Sequence, residues 1–473
     1  MTTVDLVAQS VAAVAPAGVL LTHSGALMNR LGSFAFVALV LASGVIALVA
    51  LSIAVFARRI AAAGGVYTFV TKGLGPVAGI TAGAALAIGY GSVAIDSLRA
   101  GVRRLERLLA PGSEMTDAAA TAAPDHTVSI ALTVVIFALL VAVIIVGARV
   151  STRLMLAIEV LAVSVIIVAA IVVFASTGWN LSPLIPRPGD MPSMSALAGG
   201  IGVALLSFVG FESGAALGPE SRRPLAGVPR ALVWTVGALA AVYLFGVAAQ
   251  LSAAGSAGTA STLLSGATPG APVWQATAAN WVIVASWLAC TLACSNALVR
   301  LVFTLAREGV LPSWLGRTSL RFASPHVAAV GVGAALTAGT IAHILSPRGS
   351  LLDETIGLAS SLCFVIAYLL VCAAVVPYLL RLGEFSVREA WPGLAGAVAL
   401  VGVTVTEVVG SDVATVTIVC ALLGAAAIAH ALRLRAGALS PTRVGAYDTP
   451  VAADALSTRG ELVSHEAAGS AQP

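Results

Sequence analysis

The sequence predicts an all-α membrane protein of twelve transmembrane helices, ten of them forming a five-plus-five inverted repeat and two more added at the C-terminal end. Three observations predict it. The 473 residues are 59% hydrophobic and only 10% charged, with a mean hydropathy of +1.01, whereas a soluble domain carries about 25% charged residues. Apolar stretches of about 20 residues, the length that crosses the hydrocarbon core, recur twelve times. The first and the sixth of these are interrupted by Pro or Gly at corresponding places, the sequence mark of paired broken helices.

The first five stretches run over about 6–22, 33–56, 76–98, 128–147 and 153–175, and the second five over about 195–217, 231–253, 279–305, 326–345 and 355–379. The repeats therefore cover about 6–175 and 195–379. A further pair over about 392–410 and 412–432 completes one helical domain, 1–435. Only Asp5 precedes the first stretch, which lacks a basic flank and a cleavage site, so it reads as a membrane helix and not as a cleaved leader. Residues 436–473 are polar and rich in Ala, Ser and Thr, which predicts a disordered cytoplasmic tail.

Orientation follows from Arg and Lys, which favour the cytoplasmic side. Of the 25 basic residues all but Lys72 are Arg. Placing both ends in the cytoplasm of a cell-membrane protein puts Arg58, Arg59, Lys72, Arg222, Arg223, Arg230 and Arg307 inside. Arg99, Arg103, Arg104 and Arg107 oppose that assignment, because they crowd an amphipathic stretch on the outer side after the third helix.

Several function classes are excluded by what the chain does not carry. The five cysteines (290, 294, 363, 372 and 420) all lie in apolar stretches, so no disulfide framework is expected, and the i,i+4 pair Cys290/Cys294 reads as small core residues. The histidines do not cluster, so no metal is expected. There is no phosphate-binding loop, no cofactor motif, no nucleophile–base set at membrane depth and no basic patch for nucleic acid. An enzyme or an ATP-driven pump is not indicated.

The two interruptions carry the chemistry. The first stretch contains Ala15, Pro16, Ala17 and Gly18; the sixth contains Ser207, Phe208, Gly210, Phe211 and Glu212. A helix broken at mid-membrane leaves N–H groups and carbonyls without partners, tolerated only where they line a cavity or meet a ligand. The N–H ends attract a carboxylate and the carbonyl ends an ammonium. A zwitterionic amino acid satisfies both. Glu212 adds a carboxylate that costs about 2.5–3.5 kcal/mol to place in the bilayer core. It is read either as a functional group that steadies the break or takes and releases a proton in coupling, the favoured reading, or as a structural cap on freed N–H groups.

Three motifs resemble the amino acid–polyamine–organocation superfamily of permeases. They are SFVGFESGAALGPESRRPLAGVPRA at 207–231, AAAGGVYTFVTKGLGPVAGITAG at 61–83 and NALVRLVFTLAREGVLPSWLGR at 296–317. They occur in the order found in that family. The resemblance implies the LeuT-like fold of that superfamily, alternating access, and a substrate held between helices one and six with helices three, eight and ten around it. At helix one the chain departs from the Gly-x-Gly run of many relatives and carries Ala15-Pro16-Ala17-Gly18 instead. The implied cargo is an amino acid or related amine, exchanged for a counter-substrate or coupled to protons.

Within that resemblance Glu212 contacts or orders the central site, and Phe208 is either a lid over the substrate or ordinary packing. Glu159, the lone charge in the fifth stretch after Arg153, stands where some proton-coupled relatives have a lysine. It is read either as a proton carrier or as a partner of Arg149 or Arg153 near the inner mouth. Asp96 either recognises a cationic side chain or pairs with Arg99 at i,i+3 spacing, and the pair is favoured. Two further readings stay open: a polyamine or cationic amino-acid exchanger using Asp96, and a membrane sensor that does not transport.

Overall fold

Lipid offers the backbone no hydrogen-bond partner, so each apolar stretch must satisfy its own N–H and C=O groups as a helix. The computed structural model describes residues 1–109, 126–186, 191–257, 273–318 and 324–446. Those residues are helical with short connections, and twelve of the resulting spans are long and apolar enough to cross a membrane.

The first repeat comprises α1 (Thr3–Val14), α2 (Pro16–Leu31), α3 (Phe34–Ala57), α4 (Val66–Leu74), α5 (Pro76–Leu109), α6 (His126–Val146) and α7 (Ala148–Ser176). The second comprises α8 (Met194–Leu206), a 3₁₀ segment (Phe211–Glu220), α9 (Pro224–Ala257), α10 (Val273–Arg307), α11 (His326–Leu345) and α12 (Leu351–Leu382). Last come α13 (Val387–Gly410) and α14 (Val413–Arg435). The pairs α1/α2 and α8/3₁₀ are the two broken spans. α5 packs on both α10 and α12 and forms the centre of the bundle. α6, α7, α13 and α14 turn large apolar side chains outward, among them Leu139, Leu161, Val398 and Val409. An apolar belt of that size belongs against lipid.

Three differences from the sequence reading have physical causes. α5 continues past residue 98 to Leu109, because Arg99 is buried by partners across the bundle and does not end the helix. The stretch left between the second and third predicted spans contains α4, nine residues bracketed by Gly65 and Gly75, with Val66 to Thr71 all buried. Residues 436–446 are not a free tail: Leu439 and Val444 are buried on the bundle. The rest of the expected tail, 447–473, lies outside the described residues.

Candidate functional site

The first break is a single residue. Ala15 takes φ 53° and ψ 61°, the left-handed region that costs an L side chain of order 1–3 kcal/mol. Pro16 then starts α2, supplying the fixed φ of a first helical turn. The broken turn exposes the carbonyl of Ala13, which accepts the thiols of Cys290 at 3.1 Å and Cys294 at 3.7 Å. The second break spans Ser207 to Gly210, and Gly210 has φ +98°. The two breaks touch: a Cβ at Gly210 would stand 3.0 Å from the oxygen of Ala13. Below them α1 and the 3₁₀ segment are stitched together, Gly214 N–H donating to Ser10 Oγ at 3.1 Å and Ser213 Oγ to the Gln9 carbonyl at 3.3 Å.

Glu212 follows the second break and is buried. Its carboxylate accepts the hydroxyl of Tyr90 on α5 at 2.5 Å and that of Tyr368 on α12. Tyr368 also accepts the N–H of Gly210 at 3.3 Å, so one tyrosine holds both the freed backbone and the acid. The sequence reading named neither tyrosine. A hydroxyl-bearing ring at mid-membrane was the available signal, since a buried tyrosine needs a partner for its O–H.

Two small cavities lie near the breaks, and Glu212 lines the first. Toward the face carrying the start of α1 lies one of about 20 Å³, lined by Gly64, Gly65, Tyr90, Glu212, Ala216 and Leu301. Toward the other face lies one of about 50 Å³, lined by Ala13, His23, Asp96, Trp287, Cys290 and Ser360. A single water needs about 10–15 Å³ by this measure. Neither cavity has room for an amino acid, and a wider one of about 490 Å³ shares Leu206 with the second of them.

Glu159 joins the first break. Ser286 on α10 donates to its Oε1 at 3.2 Å, and the Ser286 hydroxyl accepts the N–H of Gly18 at 3.4 Å. The position of Gly18 is reserved for glycine, because a Cβ there would stand 2.7 Å from the ring of Trp287. The alternative in which Glu159 pairs with Arg153 is corrected: α7 turns the carboxylate inward, and no ion pair joins the two; the side chain of Arg149 lies outside what the structure describes.

The expected Asp96–Arg99 pair is also corrected. Arg99 Nη1 stands 2.6 Å from Asp353 Oδ1 and 2.6 Å from His343 Nε2, tying α5 to α12 and α11. A partner across the bundle outcompetes a neighbour one turn away, whose pairing is worth only about 0.2–0.5 kcal/mol. Asp96 is left facing the 50 Å³ cavity beside His23. Phe208, read as lid or packing, is buried with its ring edge-on to Tyr243, centroids 5.2 Å apart. Phe211 packs on Tyr368 at 5.6 Å. Ala17 is buried in α2, and Ser207 donates within α8 to the Val203 carbonyl at 3.3 Å. Among the described residues no His, Cys, Asp or Glu cluster is arranged to hold a metal.

The likenesses agree with this architecture. In shape the chain is similar to MhsT, solved in complex with L-phenylalanine, with a TM-score of 0.58 at 16% identity, over 84% of this chain and 97% of that one. In sequence it is similar to the uncharacterized transporter Rv1999c of Mycobacterium tuberculosis and to the uncharacterized transporter Mb2022c of Mycobacterium bovis. Each is 28% identical over 144 residues. That stretch is 29% of this chain and about a third, 32%, of each relative's length. The model of the Amino acid permease family matches residues 1–406, both breaks and all the residues around them included. The chain belongs to the amino acid permease family and is a multi-pass membrane transporter, not an enzyme.

Proposed function

We propose that this transporter moves an amino acid or a related amine across the cell membrane by alternating access, holding it at the two helix breaks, with both chain ends in the cytoplasm. The observation that carries the reading is the contact of the breaks at Ala13 and Gly210 beside a buried acid. Freed carbonyls at the first break suit an ammonium, and the N–H of Gly210 at the second suits a carboxylate. At present thiols and a tyrosine hydroxyl hold those groups, so substrate must displace them. The complex of MhsT with L-phenylalanine, on the same fold, supports an amino acid as cargo.

Glu159 is the proposed proton carrier. It is buried without a cationic partner among the described residues and reaches the first break through Ser286. A proton taken up there would change the hold of Ser286 on Gly18, which ties protonation to the geometry of the break. Glu212 is the second candidate, because its charge state sets how tightly Tyr90 and Tyr368 clasp the 3₁₀ segment.

A second reading, transport of a cationic amino acid or polyamine, is favoured by one observation: Asp96 makes no salt bridge with Arg99 and lines the cavity. Uptake of labelled neutral amino acids, cationic amino acids and polyamines into proteoliposomes, with and without a pH gradient, tests both. Neutral uptake driven by an inward proton gradient supports the first. Uptake confined to cations supports the second. Binding without flux would leave only a sensor on this fold.

A further inference from the structure

Residues 436–446 follow α14 and lie beyond the 1–406 stretch matched by the family, yet they are seated on the transport bundle. Arg433, at the end of α14, donates to the carbonyls of Gly309 and Val310 at 2.9 and 2.7 Å. Those are carbonyls left free where α10 ends. The chain then turns, burying Leu439 beside Gly309 and burying Val444 as well. Finally Gly445 donates its N–H to Glu308 Oε2 at 2.8 Å. The same oxygen accepts the hydroxyl of Tyr67 on α4. A Cβ at 445 would stand 2.7 Å from Thr71, also on α4, and the residue has φ +69°, so only glycine fits that approach.

Glu308 therefore joins three pieces of chain: the end of α10, the first turn of α4 and the segment after α14. α4 matters because of where it begins. Gly64 and Gly65, just before its first turn, line the 20 Å³ cavity beneath Glu212. Gly65 also faces Ala216 of the 3₁₀ segment, a Cβ there lying 3.5 Å from its nitrogen. α4 is close-packed on its other sides, with Gly83 against the Tyr67 ring and Gly73 against Ala374. Burial and the Glu308 carboxylate hold the Tyr67 phenol well above its ordinary pKa, so it stays a donor.

We propose that residues 436–446 are a latch that holds the mouth below Glu212 closed, with Glu308 as the positioning residue that fastens α4 to the latch. The proposal rests on the alternating-access reading only in needing that mouth to open and close. The latch adds a seat to the closed state, so its release shifts the population toward the open one. It also makes the segment after α14 a point at which the transporter is held back by its own chain.

The test reads the mouth itself and uses no substrate, so it does not depend on what the cargo is. The full chain is prepared with Cys420→Ser, removing the exposed thiol, and Ala216→Cys, placing a thiol in the cavity. Its alkylation by a membrane-impermeant maleimide is timed in detergent, alongside a chain ending at Arg435 and a Gly445→Val variant. Release of one charged hydrogen bond and its seat should speed labelling at position 216 about ten- to a hundredfold in both. The buried thiols Cys363 and Cys372 report unfolding and should stay unreactive. Labelling at the full-chain rate in both variants overturns the latch. So does labelling that rises in both only together with that of Cys363 and Cys372.

Discussion

Gly210 sits over the carbonyl of Ala13 so closely that a Cβ would stand 3.0 Å from the oxygen, and its φ of +98° is one that side chains rarely adopt. The two helix breaks are thus packed backbone against backbone. Gly210→Ala should cost about 1–3 kcal/mol and separate the breaks, lowering both the Tm in detergent and the transport rate. An unchanged Tm would show that the contact is not tight.

Glu212 is held by two hydroxyls from neighbouring helices, Tyr90 on α5 and Tyr368 on α12. A hydrogen bond to a charged group is worth about 1.5–3 kcal/mol, roughly ten- to a hundredfold in a rate it controls. Tyr90→Phe and Tyr368→Phe should each slow uptake by that order, and Tyr368→Phe more, because it also frees the N–H of Gly210. The double variant should do no further harm than Glu212→Gln, since all three act through one carboxylate. Strict additivity of the two tyrosine variants in proteoliposome uptake would separate them from Glu212.

Both breaks were legible in the sequence because Pro16 and Gly210 change the backbone where they stand, and Glu212 was legible because a carboxylate in an apolar run is costly wherever it points. Tyr90, Tyr368 and Ser286 were not. Each is an unremarked side chain in its own helix, and its meaning comes from a partner 122, 156 or 127 residues away. The same distance effect undid the local reading of Arg99, whose partner Asp353 is 254 residues on. Periodicity located the spans but not the seat of 436–446, where burial depends on Leu439 and Val444 within a polar stretch.

Asp96 faces the 50 Å³ cavity beside His23 while Arg99 is bonded to Asp353. If it reads a substrate cation, Asp96→Asn should raise the KM for cationic amino acids or polyamines by about tenfold, the loss of one charge-assisted contact, and leave neutral substrates unaffected. Competition of unlabelled cations against labelled uptake measures this. Equal effects on neutral and cationic substrates would return Asp96 to a structural role.

Glu159, Ser286 and Gly18 form one chain of hydrogen bonds from α7 through α10 to the first break. If Glu159 carries the proton, Glu159→Gln should abolish acceleration of uptake by an imposed pH gradient while exchange of internal for external substrate persists, because exchange needs no net proton movement. Ser286→Ala gives a different result. It leaves the carboxylate able to titrate but cuts its link to Gly18, so the pH dependence should survive with a lower rate. The two variants therefore separate carrying a proton from transmitting its effect. If Glu159→Gln kept the wild-type response to pH, the proton route would have to be sought at Glu212, the other buried acid at the breaks.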